Sequence, residues 1–69
     1  MATLSETASM NLKNTRIRRK LSQEALATKA GISVSYVSML ERGQRSPPLD
    51  TLELLAKALK VPATSLLAE

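Results

Sequence analysis

The sequence predicts an all-α domain of five short helices. Apolar residues recur at helical spacing in successive segments, and the alternation of a half-buried strand occurs nowhere. From Ser22 onward, serine, glycine and proline mark where segments start and stop. The chain has 69 residues, 43% of them hydrophobic and only one aromatic. That suffices for one small domain with a core of leucine, isoleucine, valine and alanine.

Residues 1–6 carry few order signals and are expected to form a flexible N-terminal segment, leaving 7–69 as one domain. The first helix starts near Ser5 or Thr7 and runs to about Lys20. Ala8, Leu12 and Thr15 share one stripe, and Lys13, Arg16, Arg18, Arg19 and Lys20 lie on the other faces. In "LSQEALATKAG", Ser22 is the N-cap, Glu24 sits in the first turn and Gly31 follows the last; Leu26, Ala27 and Ala30 form the stripe. "ISVSYVSMLERG" repeats the plan, with Ser33 as cap, Val37 and Leu40 inward and Gly43 as stop. "QRSPP" is a loop, because two consecutive prolines cannot continue a helix. Pro48 suits the first position of "LDTLELLAKAL", whose Leu49, Leu52, Leu55, Ala56 and Leu59 share a face. Pro62 opens the fifth helix, "ATSLLA".

Composition narrows the function. Without cysteine or histidine there is no disulfide, no thiolate metal site and no imidazole base. No clustered acidic pair or phosphate loop is present, so no enzyme, metal or cofactor is expected. No apolar run is long enough for a spanning helix or a signal-peptide core, which predicts no membrane partner and a cytoplasmic location. Ten Lys and Arg against six Asp and Glu give +4 and a pI near 10.0. That excess suits an anionic partner, although it also aids solubility.

Ala27, Gly31 and Val37 have a joint purpose. Two helices joined by a three- or four-residue turn meet at a steep angle. The crossing needs a small side chain, which Ala27 supplies. The turn needs positive φ, which Gly31 tolerates. The second helix must return an apolar residue to the shared core, which Val37 supplies, with Ile32 and Leu40 closing it. An ordinary helical hairpin with a glycine C-cap has the same three residues.

From about Leu12 to Leu67 the chain resembles the Cro and phage-repressor type of helix-turn-helix family, the XRE family. The resemblance rests on "LSQEALATKAGIS", "VSMLERG", "SPPLDTLELLAKAL" and "VPATSLL". "SYVSMLERG" is most similar to small stand-alone regulators such as restriction–modification controller proteins and biofilm-type repressors. The resemblance implies a five-helix lambda-repressor-like domain. It also implies a sequence-specific transcriptional regulator of double-stranded DNA, with a recognition helix of about residues 33–42 in the major groove. An antitoxin or protein-interaction module with secondary DNA binding is the alternative.

The same resemblance assigns residues. The positions matching Ser33, Val34, Ser35, Ser38 and Met39 face base edges. Serine bonds almost any base, and valine or methionine touches only a thymine methyl, so this direct code is weak and DNA shape is expected to contribute. The glutamine matching Gln23 bonds a phosphate at a helix N-terminus, where a solvated capping residue is the plainer reading. Arg42 and Arg45 are expected at phosphates or as solvated loop charges. Tyr36 can reach a phosphate or base with its hydroxyl, or cover the core edge with its ring. Residues matching Arg16 and Glu41 form a structural ion pair between the first and third helices. Lys20 and Lys60 stand where the family often has glycine, each at a cost of about 1 kcal/mol if φ stays positive.

A domain this small offers few base contacts, which predicts a homodimer on a palindromic operator with half-sites about 34 Å apart. Leu54, roughly opposite Leu52, is expected in the interface with Leu66 and Leu67, one of which packs inward. A lone surface leucine is the alternative for Leu54.

Overall fold

A capping box opens the first helix. In the computed structural model, which describes residues Thr3 to Ala68, the Thr3 hydroxyl accepts the Glu6 N–H at 3.1 Å. The Glu6 carboxylate accepts the Thr3 N–H at 3.0 Å. The two bonds satisfy donors that a helix start leaves unpaired. Helix α1 therefore spans Leu4–Arg18. It begins before Ser5 and Thr7, and Leu4, Ser5 and Glu6 are helical although the sequence reading assigns them to a flexible segment. Apolar periodicity misses this start because the signal is the T-x-x-E spacing of Thr3 and Glu6. Met1 and Ala2 lie outside the described residues.

Helix α2 spans Gln23–Ala30 and α3 spans Val34–Glu41. The Ser22 hydroxyl accepts the Ala25 N–H at 3.0 Å, and the Ser33 hydroxyl accepts the Tyr36 N–H at 3.1 Å. Helix α4 spans Leu49–Leu59, so Pro48 is its extended N-cap and not its first helical residue. The expected fifth helix is a single 3₁₀ turn, Ala63–Leu66, which leaves four α-helices among the described residues. The Pro62 carbonyl takes the Ser65 N–H at 3.0 Å and the Ser65 hydroxyl at 2.7 Å. An α-helix would have given that carbonyl to the N–H of Leu66.

All four α-helices end in the same reversal, with a left-handed residue after the last turn. Those residues are Lys20 (φ 58), Gly31 (φ 75), Gly43 (φ 75) and Lys60 (φ 59). At each, a six-to-one and a five-to-two backbone bond close the end, as in Leu21 N–H to Arg16 O at 3.1 Å and Lys20 N–H to Ile17 O at 2.9 Å.

The core joins every element. Leu12 of α1, Leu26, Ala27 and Ala30 of α2, Val37 and Leu40 of α3, Leu52, Leu55, Ala56 and Leu59 of α4, and Leu66 are buried together. Ile32 is half-buried against them. Leu49 shares a face with Leu52 but sits past the core edge at 67% exposure. The Asn11 amide donates to the Leu66 and Ala68 carbonyls at 3.0 and 2.6 Å and holds the C-terminal segment on α1.

Candidate nucleic-acid interface

One guanidinium ties three elements together. Arg16 of α1 donates through Nε to Glu41 Oε2 at 2.6 Å and through Nη2 to Glu41 Oε1 at 3.0 Å. Its Nη1 donates to the Leu21 carbonyl at 2.8 Å, just ahead of the α2 cap. Glu41 closes α3, and its side chain is 2% exposed. A planar, bidentate donor suits this site because a buried carboxylate needs its oxygens satisfied. The pair therefore fixes the start of α2 relative to the end of α3.

Gln23, the first residue of α2, joins the network. Its Nε2 donates to Glu41 Oε1 at 3.1 Å. That bond uses one of two amide hydrogens and leaves the other available. Gln23 is thus neither freely solvated nor dedicated to an outside acceptor. Sequence alone gives Gln23 and Glu41 separate roles, because nothing local links positions eighteen residues apart.

On the outer side of α3 a shallow strip is lined by Gln23, Val34, Ser35, Ser38, Met39 and Arg42. Successive helical residues step by about 100°, so Val37 and Leu40 point into the core while this set points away. Val34, Ser35 and Arg42 are exposed; Ser38 and Met39 are half-buried. Ser33, Tyr36 and Arg45 do not line the strip. The Ser33 hydroxyl caps α3, which restricts its freedom to read a base. Tyr36 packs against the core, so its ring covers the core edge. Arg45 is exposed in the loop before α4.

The residues expected at a dimer interface separate. Leu66 is fully buried, so it cannot meet a partner; the Asn11 clamp turns it inward. Leu67 is half-buried, and Leu54 is 46% exposed. Leu54 borders a groove with Glu53, Lys57, Val61 and Ala63.

Among the described residues no three His, Cys, Asp or Glu side chains form a metal-holding group, and no helix is long and apolar enough to cross a membrane.

The profile described as Helix-turn-helix matches residues 12–66. The chain belongs to the helix-turn-helix family, XRE type. It is 40% identical over 63 residues to the immunity repressor protein of Bacillus phage phi105, covering 91% of this chain and 44% of that protein. It is 38% identical over 64 residues to the control protein C.SmaI of Serratia marcescens, covering 93% of this chain and 76% of the relative. The crystal structure of the restriction-modification controller protein C.AhdI from Aeromonas hydrophila superposes with a TM-score of 0.85. It shares 38% identity over 88% of this chain and 92% of that one. Several curated relatives are longer, and the chain spans 31% to 62% of four of them.

Proposed function

We propose that the chain is a double-stranded DNA-binding transcriptional regulator that lays α3 in the major groove. The observation that carries this reading is the strip on α3. It presents serine hydroxyls, two apolar tips and the Arg42 cation on one face, beside an α2 N-terminus held by Arg16 and Glu41. A helix N-terminus attracts phosphate; Arg42 adds positive charge beside it, and Arg45 is a further exposed cation in the loop that follows α3. Ser35, Ser38, Val34 and Met39 meet base edges, and Gln23, Arg42 and Arg45 position the domain on phosphates. Relatives named as repressors and control proteins support this reading.

The readout is testable on duplexes selected from random DNA. Met39→Ala and Ser35→Ala should weaken the selected duplex more than a random one, since base contacts specify and phosphate contacts do not. Equal losses on both would remove α3 as the reader.

We further propose a symmetric dimer. One copy carries one recognition helix, so occupying two half-sites about 34 Å apart takes two copies. Leu54, with Val61 and Ala63 beside it, is the apolar surface on α4 suited to this role. In sedimentation, Leu54→Glu should shift a folded protein toward monomer. A mutant that self-associates as tightly as its parent would leave Leu54 a lone surface leucine.

A further inference from the structure

The helices α1, α2 and α4 end around one gully. Arg19 follows α1, Lys29 lies in the last turn of α2, and Lys60 follows α4; Leu21, Ala58 and Leu59 form the floor between them. Lys20 stands between Arg19 and Leu21 in the chain and is exposed. No acidic residue lines this surface. Among the described residues the one salt bridge is Arg16–Glu41, so these four cations have no carboxylate partner there.

Cations at helix C-termini are stabilising in themselves, and that is the plainest account of their position. Three helix ends supply about −1.5 elementary charges, which leaves well over one positive charge uncompensated. The two lysine reversals also exceed what helix ends require. Lys20 and Lys60 hold φ of 58 and 59, where glycine would relieve strain and still close the helix. The conformation disfavours the side chain, and the sequence keeps a cation at both positions.

We propose that this gully is a docking surface for an acidic segment of a second protein, with an aliphatic side chain seated on Leu21 and Ala58. Charge complementarity selects the acidic partner. The apolar floor selects a protein segment over nucleic acid, whose phosphate backbone offers no aliphatic anchor. No residue of α3 lines the gully, and Gln23, Ser35, Ser38, Met39 and Arg42 all line a different surface. The two surfaces share no lining residue, and in this proposal the regulator receives a protein partner while it holds DNA.

The test uses the full chain labelled with nitrogen-15 and a synthetic twelve-residue peptide of glutamate and leucine. Amide shifts should concentrate at Arg19, Leu21, Lys29 and Ala58–Lys60. Replacing the peptide leucines by serine should weaken binding at least fivefold. The double variant Lys29→Glu/Lys60→Glu should weaken it at least tenfold. Lys60→Gly guards against a folding artefact, because it should raise the melting temperature and still weaken the peptide. Shifts on the α3 strip, equal binding of the serine peptide, or undiminished binding by Lys60→Gly would each overturn the proposal. These arms contain no DNA, so their outcome is independent of the DNA reading. In a separate titration against a random duplex, Arg45→Ala should flatten the slope of log K against log salt by about one unit. Lys29→Glu/Lys60→Glu should leave that slope unchanged. A flattened slope would make the gully a phosphate-contacting surface and overturn the protein-docking assignment.

Discussion

Helices α2 and α3 end in glycine, and α1 and α4 end in lysine, yet all four chain reversals have the same left-handed geometry. The two pairs differ in cost. At Gly31 an added Cβ would meet nothing within 4 Å, and at Gly43 it would meet only the Ser9 hydroxyl at 3.9 Å. Neither glycine is required by crowding; both are there for φ. The helix-turn-helix pair thus reverses direction without strain. The outer pair accepts about 1 kcal/mol at each lysine and places a cation beside a helix C-terminus. Identical backbone geometry therefore does not imply an identical role for the residue that adopts it.

The pairs are also held differently, which sets the largest predicted effect. Among the described residues, only the α2–α3 unit is tied to α1 through a buried charge, Glu41. Arg16→Met should destabilise the domain by about 3 kcal/mol, because it strands a buried carboxylate. A domain of this length has only about 3–10 kcal/mol in total, so urea unfolding should move far toward zero denaturant. A loss below about 1 kcal/mol would mean that Glu41 is solvated in solution.

Exchanging the reversal residues tests the comparison directly. Lys20→Gly and Lys60→Gly should each stabilise by about 1 kcal/mol, and Gly31→Lys should destabilise by a similar amount. Thermal unfolding measures all three. If Gly31→Lys proves much costlier, that turn needs glycine for more than its φ.

The smallest effect lies at the start of α1. The Thr3 backbone N–H, and then its hydroxyl, hold the Glu6 carboxyl below its ordinary range. A lowered folded-state pKa contributes stability that is present above the ordinary carboxylate range and lost as pH falls through the folded value. Glu6→Gln should therefore melt slightly below its parent near neutral pH and converge with it as pH falls, which gives a slightly shallower acid-side decline. Equal acid-side slopes would show that the box carries no charge-dependent stability.

Local chemistry made much of this fold legible. Ser22, Gly31, Ser33 and Gly43 announce α2 and α3 because caps and stops act through neighbouring backbone groups. The inward positions of Ala27, Val37 and Leu40 follow from helical periodicity alone. The start of α1 was equally local, but it lay in the spacing of Thr3 and Glu6 and not in apolar rhythm. The fifth element is a 3₁₀ turn because the Ser65 N–H and hydroxyl both donate to the Pro62 carbonyl within a four-residue segment, which apolar periodicity does not report.

By itself, the sequence determined the all-helical class, the positions of the turns and the outward residues of α3. Each depends on interactions within a few residues along the chain. Tertiary structure alone decided that Leu66 is core, because the Asn11 side chain reaches its carbonyl from 55 residues away. It decided that Gln23 shares Glu41 with Arg16, a junction of three helices. It also decided that the basic ends of α1, α2 and α4 meet at one gully. Periodicity specifies which face of a helix is buried, and only packing specifies what that face, and each helix end, stands beside.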